Sequence, residues 1–84
     1  MTTQGIWPLA LDDMLVDVNE AEDKWGPFRS PHEAYGVLAE EVAELLDAIH
    51  ANDIDKARAE ALQVAAVAYR FARDGFERNP GEPT

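Results

Sequence analysis

The residues best suited to chemistry in this chain are four glutamates and one glutamine at helical spacing. Glu40, Glu41 and Glu44 form a Glu-Glu-x-x-Glu motif, and after fifteen further residues Glu60 and Gln63 form a Glu-x-x-Gln motif. Carboxylate and amide oxygens are ligands for hard divalent cations, and Mg²⁺ also keeps waters and substrate phosphates in its shell. Helical bundles build metal sites from side chains three residues apart on facing helices. The motifs therefore predict a divalent-metal site if two neighbouring helices bring them together.

An all-α fold with three helices is predicted to position these motifs, because alanine is abundant and β-branched runs are short. The expected helices run from Leu9 to about Lys24, from Pro31 to about Ala51, and from Ile54 to about Asp74. Ser30 is the expected N-cap of the second helix, with Pro31 at its first position and Glu33 completing a capping box.

The short Asn52-Asp53 link makes the second and third helices antiparallel neighbours, and either residue can cap the third helix. We expect one domain over residues 1–84, with a loose N-terminus at 1–7 and a flexible tail at 76–84. At this length a lone core is marginal, so oligomerisation is expected.

Helical periodicity places Glu60 inside an apolar stripe with Val64, Val67 and Phe71. Glu41 falls on the edge of the second helix's core stripe, which is predicted to comprise Leu38, Val42, Leu45, Leu46 and Ile49. A buried carboxylate without a partner is costly, so such a group takes up a proton or binds a cation. The alternatives are an ordinary solvated face for Glu40, Glu41 and Glu44, and for Glu60 either an ion pair with Lys56 or a position at the boundary of the core.

The third helix is apolar on nearly all sides, which is typical of a helix packed against several neighbours. Its remaining arc comprises Ala61, Leu62, Ala65, Ala66, Tyr69 and Ala72. In a chain of 84 residues we expect a second subunit to cover this arc, in a homodimer or homotetramer with an oligomeric helical bundle.

Composition narrows the functional classes. Seventeen acids against seven Lys and Arg give a net charge of −10, which disfavours duplex nucleic acid. The absence of cysteine excludes thiolate metal sites and cysteine nucleophiles. No apolar run approaches membrane-spanning length and no leader is evident, so a cytoplasmic protein without membrane contact is expected.

The two motifs, their order and the apolar run Val64-Ala65-Ala66-Val67-Ala68 resemble the all-α MazG-like nucleotide pyrophosphohydrolases, which include the dCTP pyrophosphatases and dimeric dUTPases. The resemblance covers roughly residues 18–73, and Trp25-x-x-Phe28-x-x-Pro31 is similar to the segment before the motif helix in the dCTP pyrophosphatase branch. It implies hydrolysis of a nucleoside triphosphate to monophosphate and pyrophosphate, with Mg²⁺, or alternatively Mn²⁺, as cofactor.

The resemblance also implies roles for individual residues. Glu41, Glu44 and Glu60 would be metal ligands with Gln63 at the fourth position, and Glu40 would be the general base. The implied substrate contacts are Trp25, His32, Lys56 and Arg70. The alternatives are a core position for Trp25, a surface position in the first turn for His32, and surface ion pairs with Glu60 and Asp74 for Lys56 and Arg70.

The chain departs from the family pattern at Gln63, where the family has Asp, and in the short segment after Gly75. An amide oxygen ligates a hard cation without adding charge, so weaker metal binding is expected. One rival function is therefore a weak or inactive homologue that works as an acidic helical module binding a nucleotide or a protein. The net charge alone suggests a further rival, an acidic inhibitor that mimics DNA.

Overall fold

The computed structural model describes residues 9–74 and Phe76, and the all-α prediction is confirmed. The described part of the chain forms three helices and no strand: α1 spans Ala10–Trp25, α2 spans Pro31–His50 and α3 spans Ile54–Asp74. The predicted loose N-terminus at 1–7 lies outside the described residues, as does the predicted tail apart from Phe76. No helix among the described residues is long and apolar enough to cross a membrane.

Local capping fixes where α2 begins. The Ser30 hydroxyl accepts a hydrogen bond of 3.1 Å from the backbone N–H of Glu33. The Glu33 carboxylate accepts one of 2.8 Å from the backbone N–H of Arg29, one residue before the donor expected in a capping box. The bond to Ser30 satisfies an N–H group in the first turn that a helix start leaves unpaired, and the bond to Glu33 holds the chain just before the cap, so α2 begins at Pro31 as predicted.

The turn between α2 and α3 reverses the chain in three residues. Asn52 adopts a positive φ of 57°, a left-handed conformation that asparagine tolerates better than most residues. The Asp53 carboxylate accepts a hydrogen bond of 3.1 Å from the backbone N–H of Lys56, so Asp53 is the residue that caps α3. The start of α2 then lies beside the end of α3, where Ala34 and Val67 line one groove, and the predicted antiparallel hairpin is confirmed.

Helix α3 is the centre of the fold, because both α1 and α2 pack against it. Among the described residues, the buried apolar side chains are Val18, Ala34, Ala48, Ala66 and Val67. This packing covers part of the α3 arc for which we predicted a second subunit, while Ala61, Tyr69 and Ala72 of that arc are exposed; the second subunit stays a prediction. Within that arc Ala66 is buried, and Leu62 and Ala65 are half-buried, in a helix against which α1 of the same chain packs.

The face that α2 turns toward α3 also differs from the predicted core stripe. Ala34 and Ala48 are buried and lie seven residues on either side of Glu41, whereas Val42, Leu46 and Ile49 are exposed by 47–53%. Small side chains at a helix contact allow the two axes to approach closely, which favours an alanine-centred contact. Glu41 therefore lies in the middle of the α2–α3 contact rather than at its edge.

Candidate metal centre

Three of the predicted metal ligands converge. Glu41 and Glu44, one turn apart on α2, and Glu60 on α3 each offer one carboxylate oxygen, and these three oxygens lie within 4.8 Å of one another. Two oxygens that bind the same Mg²⁺ at about 2.1 Å are separated by at most about 4.2 Å. The trio, which we call the carboxylate triad, therefore needs only small side-chain rotations to share one ion.

The electrostatics of the carboxylate triad favour a bound positive charge. Burial is the largest cause that raises the pKa of Glu41 to about 7, followed by the charges of Glu44 and Glu60, a hydrogen bond to Glu60, and the charge of Glu40. One oxygen of Glu60, Oε2, is buried without a hydrogen-bond partner. Burial and neighbouring negative charge both disfavour the ionised form of Glu41, so a proton or a bound cation would relieve the repulsion.

The chemistry of the donors fits a hard divalent cation. All three triad groups supply carboxylate oxygens, the ligands that Mg²⁺ and Mn²⁺ accept. Gln63 is half-buried about one turn after Glu60 on α3, where its amide oxygen is a candidate fourth donor. Lys56 is exposed in the first turn of α3, about one turn before Glu60.

A cleft of about 420 Å³ opens beside the carboxylate triad, and both Glu40 and Glu41 line it. Glu40 is exposed on this cleft, so its carboxylate is accessible to a bound molecule. Trp25 also lines the cleft and is 71% exposed, so the alternative of a core tryptophan is wrong. His32 is exposed and lines a different groove, with Tyr35 and Phe71, so the structure does not bring it to the triad's cleft.

Arg70 is placed differently from either sequence interpretation. It is only 3% exposed, and its guanidinium donates a hydrogen bond of 2.8 Å to the backbone carbonyl of Gly26. The guanidinium also stacks 4.1 Å from the ring centroid of Phe28, and its Nε lies 3.9 Å from a carboxylate oxygen of Glu22. The alternative of a surface pair with Asp74 is wrong, because Asp74 pairs with Arg73 at 2.8 Å. Arg70 thus forms an internal wall of the cleft.

Sequence reasoning missed two residues of this region. Glu22 pairs with Arg70 and Arg73, and its spacing of four residues from the buried Val18 was the available signal, since such residues share a helix face. Arg29 is an exposed cation that lines the cleft beside Trp25. No local pattern marked Arg29, because it precedes the cap of α2 in a short loop.

Comparison with known proteins returned no match: no protein-family model, no curated protein and no solved structure matches this chain. The resemblance to the MazG-like family accordingly rests on the two acidic motifs and their spacing, and it stays a prediction. The carboxylate triad and the cleft beside it, in contrast, are features of this chain's own geometry.

In the absence of divalent ions, we expect stability to fall as pH rises through 7. The folded-state pKa of Glu41 is about 7, above the value of about 4.3 for an unfolded chain. Between these values the folded state binds more protons, so its stability is highest below the unfolded pKa and is lost as pH rises through the folded pKa. The expected loss is about 1–2 kcal/mol after allowance for solvent screening.

The measurement is thermal unfolding in a chelator across pH 5–8 for the wild type and for Glu41→Gln. The variant carries no titrating group at this position, so its stability should depend less steeply on pH and should exceed that of the wild type at pH 8. A Glu41→Gln variant with the same pH dependence as the wild type would contradict the assignment of the shift to Glu41.

Proposed function

We propose that this protein is a Mg²⁺-dependent nucleoside triphosphate pyrophosphohydrolase of the MazG-like type, acting in the cytoplasm. The observation that carries the proposal is the convergence of Glu41, Glu44 and Glu60 within 4.8 Å, directly beside a cleft that Glu40 and Glu41 line. A hard cation next to an open cleft suits an anionic, phosphate-bearing substrate, which this acidic chain would otherwise repel.

Glu41, Glu44 and Glu60 would hold the ion, with Gln63 at the fourth position. When bound, a divalent ion neutralises phosphate oxygens and lowers the pKa of water in its shell. Because Glu41 releases its proton only near neutral pH, ion binding competes with that proton and should strengthen as pH rises. The triad is therefore suited to metal binding at neutral and mildly alkaline pH.

Residues of the cleft are candidates for the general base, the nucleobase contact and the phosphate contact. Glu40, exposed on the cleft and adjacent to Glu41, is the candidate general base that takes a proton from the attacking water. Trp25 exposes a flat aromatic surface at the cleft, which suits stacking on a nucleobase. Arg29 is the exposed cation of the cleft and replaces Arg70 as the candidate phosphate contact.

One observation favours a second function, metal-dependent nucleotide binding without turnover. The resemblance assigns two cations, Lys56 and Arg70, to phosphate binding. The Arg70 guanidinium instead donates a hydrogen bond to the Gly26 carbonyl and stacks on the Phe28 ring. Gln63 brings no negative charge to the ion. A weakly held metal and fewer phosphate contacts would allow a nucleotide to bind while its hydrolysis remains slow.

Assay of pyrophosphate and monophosphate release from each of the common nucleoside and deoxynucleoside triphosphates, with Mg²⁺ or Mn²⁺, tests the proposal. We expect release with at least one substrate, and expect Glu41→Gln to lose it; full activity in that variant would indicate contamination.

The binding alternative predicts that Mg²⁺ and nucleotide together raise the melting temperature while no pyrophosphate appears. In that case Gln63→Asp, which restores the family's carboxylate, should gain release if the missing charge is the cause. If no triphosphate gave either pyrophosphate release or a thermal shift at millimolar ion, both proposed functions would be overturned.

A further inference from the structure

An open apolar groove runs between the start of α2 and the end of α3. It has a volume of about 440 Å³, and its walls include Pro31, Tyr35 and Leu38 of α2 and Val67, Ala68 and Phe71 of α3. Tyr35 is 68% exposed and Phe71 is 42% exposed, so each helix presents one free aromatic surface. We call this feature the aromatic groove. Exposed apolar patches of this kind mark interaction surfaces.

A contact beyond the end of α3 brings the chain to the aromatic groove. The ring centroid of Phe76 lies 5.1 Å from that of Phe71, and the ring planes are tilted by 54°. Both values are within the range of favourable aromatic pairs. Because Phe71 lines the aromatic groove, the residues that follow Phe76 start at the edge of that groove.

The C-terminal segment, residues 77–84, carries a motif that suits such a groove, and it lies outside the described residues. Its sequence is Glu77-Arg78-Asn79-Pro80-Gly81-Glu82-Pro83-Thr84, in which Pro80 and Pro83 form a Pro-x-x-Pro motif. A polyproline II helix has three residues per turn, so this spacing places both proline rings on one edge. Recognition domains bind Pro-x-x-Pro segments in this conformation, in grooves lined by aromatic side chains.

The lining of the aromatic groove suits proline better than other residues. Among the described residues that line it, only His32 and Tyr35 carry polar side-chain atoms. A backbone N–H that enters such a groove loses water without gaining an acceptor, which is costly. Proline has no N–H, so it buries its ring in the groove without this cost.

Charge also permits this segment to enter. The chain has a net charge of −10, yet none of the described residues that line the aromatic groove is acidic. Glu82, which lies between the two prolines, therefore meets no carboxylate in the lining. Most other surfaces of this acidic chain would repel it.

The length of the motif matches the length of the aromatic groove. The seven helical steps from Pro31 to Leu38 cover about 10 Å, and one polyproline II turn from Pro80 to Pro83 covers about 9 Å. The three residues that join the motif to Phe76 reach about 10 Å when extended. A segment tethered this closely has an effective concentration of the order of millimolar at the groove, which favours it over a separate chain.

We propose that the Pro80–Pro83 motif of the chain's own C-terminal segment binds in the aromatic groove as one turn of polyproline II helix. The two proline rings pack on Tyr35 and Phe71, and they continue the contact that Phe76 begins. The aromatic groove and the cleft beside the carboxylate triad share no lining residue. This inference therefore does not depend on the proposed enzymatic function.

A nitroxide attached at Thr84→Cys tests the proposal in the full chain, which has no other cysteine. Nitroxides broaden the NMR signals of nearby amides. We expect the amides of Tyr35 and Ala68 to lose most of their intensity, and those of the Asn52-Asp53 turn, at the other end of the hairpin, to keep theirs.

Substitutions in the segment separate binding from mere proximity to the end of α3. Pro80→Ser combined with Pro83→Ser should restore most of the intensity at Tyr35 and Ala68. Gly81→Ser is the matched control, because it adds the same side chain off the proline edge and should restore none. A double-proline variant whose signals match those of the chain with both prolines would overturn the proposal.

Substitutions in the aromatic groove locate the contact. Ala68→Gln places a longer side chain in the groove and should restore the Tyr35 signal. Ala61→Gln is the matched control, since Ala61 is exposed on the same helix but does not line the groove. Equal effects of Ala68→Gln and Ala61→Gln would place the segment elsewhere and overturn the proposal.

A mixed sample distinguishes the chain's own segment from that of a second copy. Spin-labelled chains without isotope are mixed with isotope-labelled chains that lack Thr84→Cys. We expect the Tyr35 and Ala68 signals of the isotope-labelled chains to keep their intensity. Signal loss as large as in the singly prepared chain would assign the groove to a second copy and overturn the proposal.

Discussion

Replacing Glu60 with glutamine is expected to lower pyrophosphate release by about 100-fold or more and to abolish stabilisation by Mg²⁺. Glu60 supplies the only triad oxygen from α3, within 4.8 Å of those of Glu41 and Glu44. The amide keeps the shape of the side chain and removes its charge. Without the ion the variant should be more stable than the wild type at pH 8, because the charge of Glu60 raises the pKa of Glu41.

The test is specific because Glu60→Gln should lower pyrophosphate release while raising the stability of the metal-free protein. A residue that matters only for folding would lose activity together with stability, whereas a metal ligand loses activity while the metal-free protein gains stability. Melting temperatures with a chelator and with millimolar Mg²⁺, alongside the release assay, measure both effects. Glu20→Gln on α1 is the matched control, since Glu20 is exposed. An intact Mg²⁺-dependent shift in Glu60→Gln would remove Glu60 from the metal site.

Local signals predicted the parts of the fold that local chemistry determines. Ser30, Pro31 and Asp53 act through hydrogen bonds and backbone restrictions that span at most four residues. The convergence of Glu41 with Glu60 was also predictable, because a three-residue turn fixes the register of two antiparallel helices. Helix positions on either side of such a turn can be paired from the sequence alone.

The position of α1 and the orientation of α2 could not be predicted in the same way. The contact of Arg70 with Gly26 joins residues 44 positions apart, and periodicity carries no information about which helix meets which. Periodicity also counts every apolar residue alike, so Leu46 and Ile49 entered the same predicted core stripe as Leu38. The structure separates them, because Leu38 is half-buried whereas Leu46 and Ile49 lie exposed.

Replacing Arg70 with methionine is expected to destabilise the fold by about 2–3 kcal/mol, because it leaves buried partners without a charge or a donor. The Gly26 carbonyl would lose its hydrogen bond of 2.8 Å, Glu22 one of its two cations, and Phe28 the guanidinium stacked on its ring. For a chain of this length the expected fall in melting temperature is about 10–15 °C. Arg58→Met, an exposed position on the same helix, is the matched control and should shift it little.

Arg70 should also act on the cleft through the loop that it holds, as a positioning residue. Gly26 and Phe28 line the cleft between Trp25 and Arg29, so release of the Gly26 carbonyl should loosen that wall while the carboxylate triad stays in place. We therefore expect a higher KM for nucleotide with a smaller change in kcat, and altered Trp25 fluorescence in a Trp7→Phe background.

Arg70→Lys should recover little of the lost stability or of the wild-type KM, because an ammonium lacks the planar fork that stacks on Phe28 while bonding to Gly26. An Arg70→Met variant as stable as Arg58→Met, with unchanged KM, would show that the buried guanidinium neither holds the loop nor shapes the cleft.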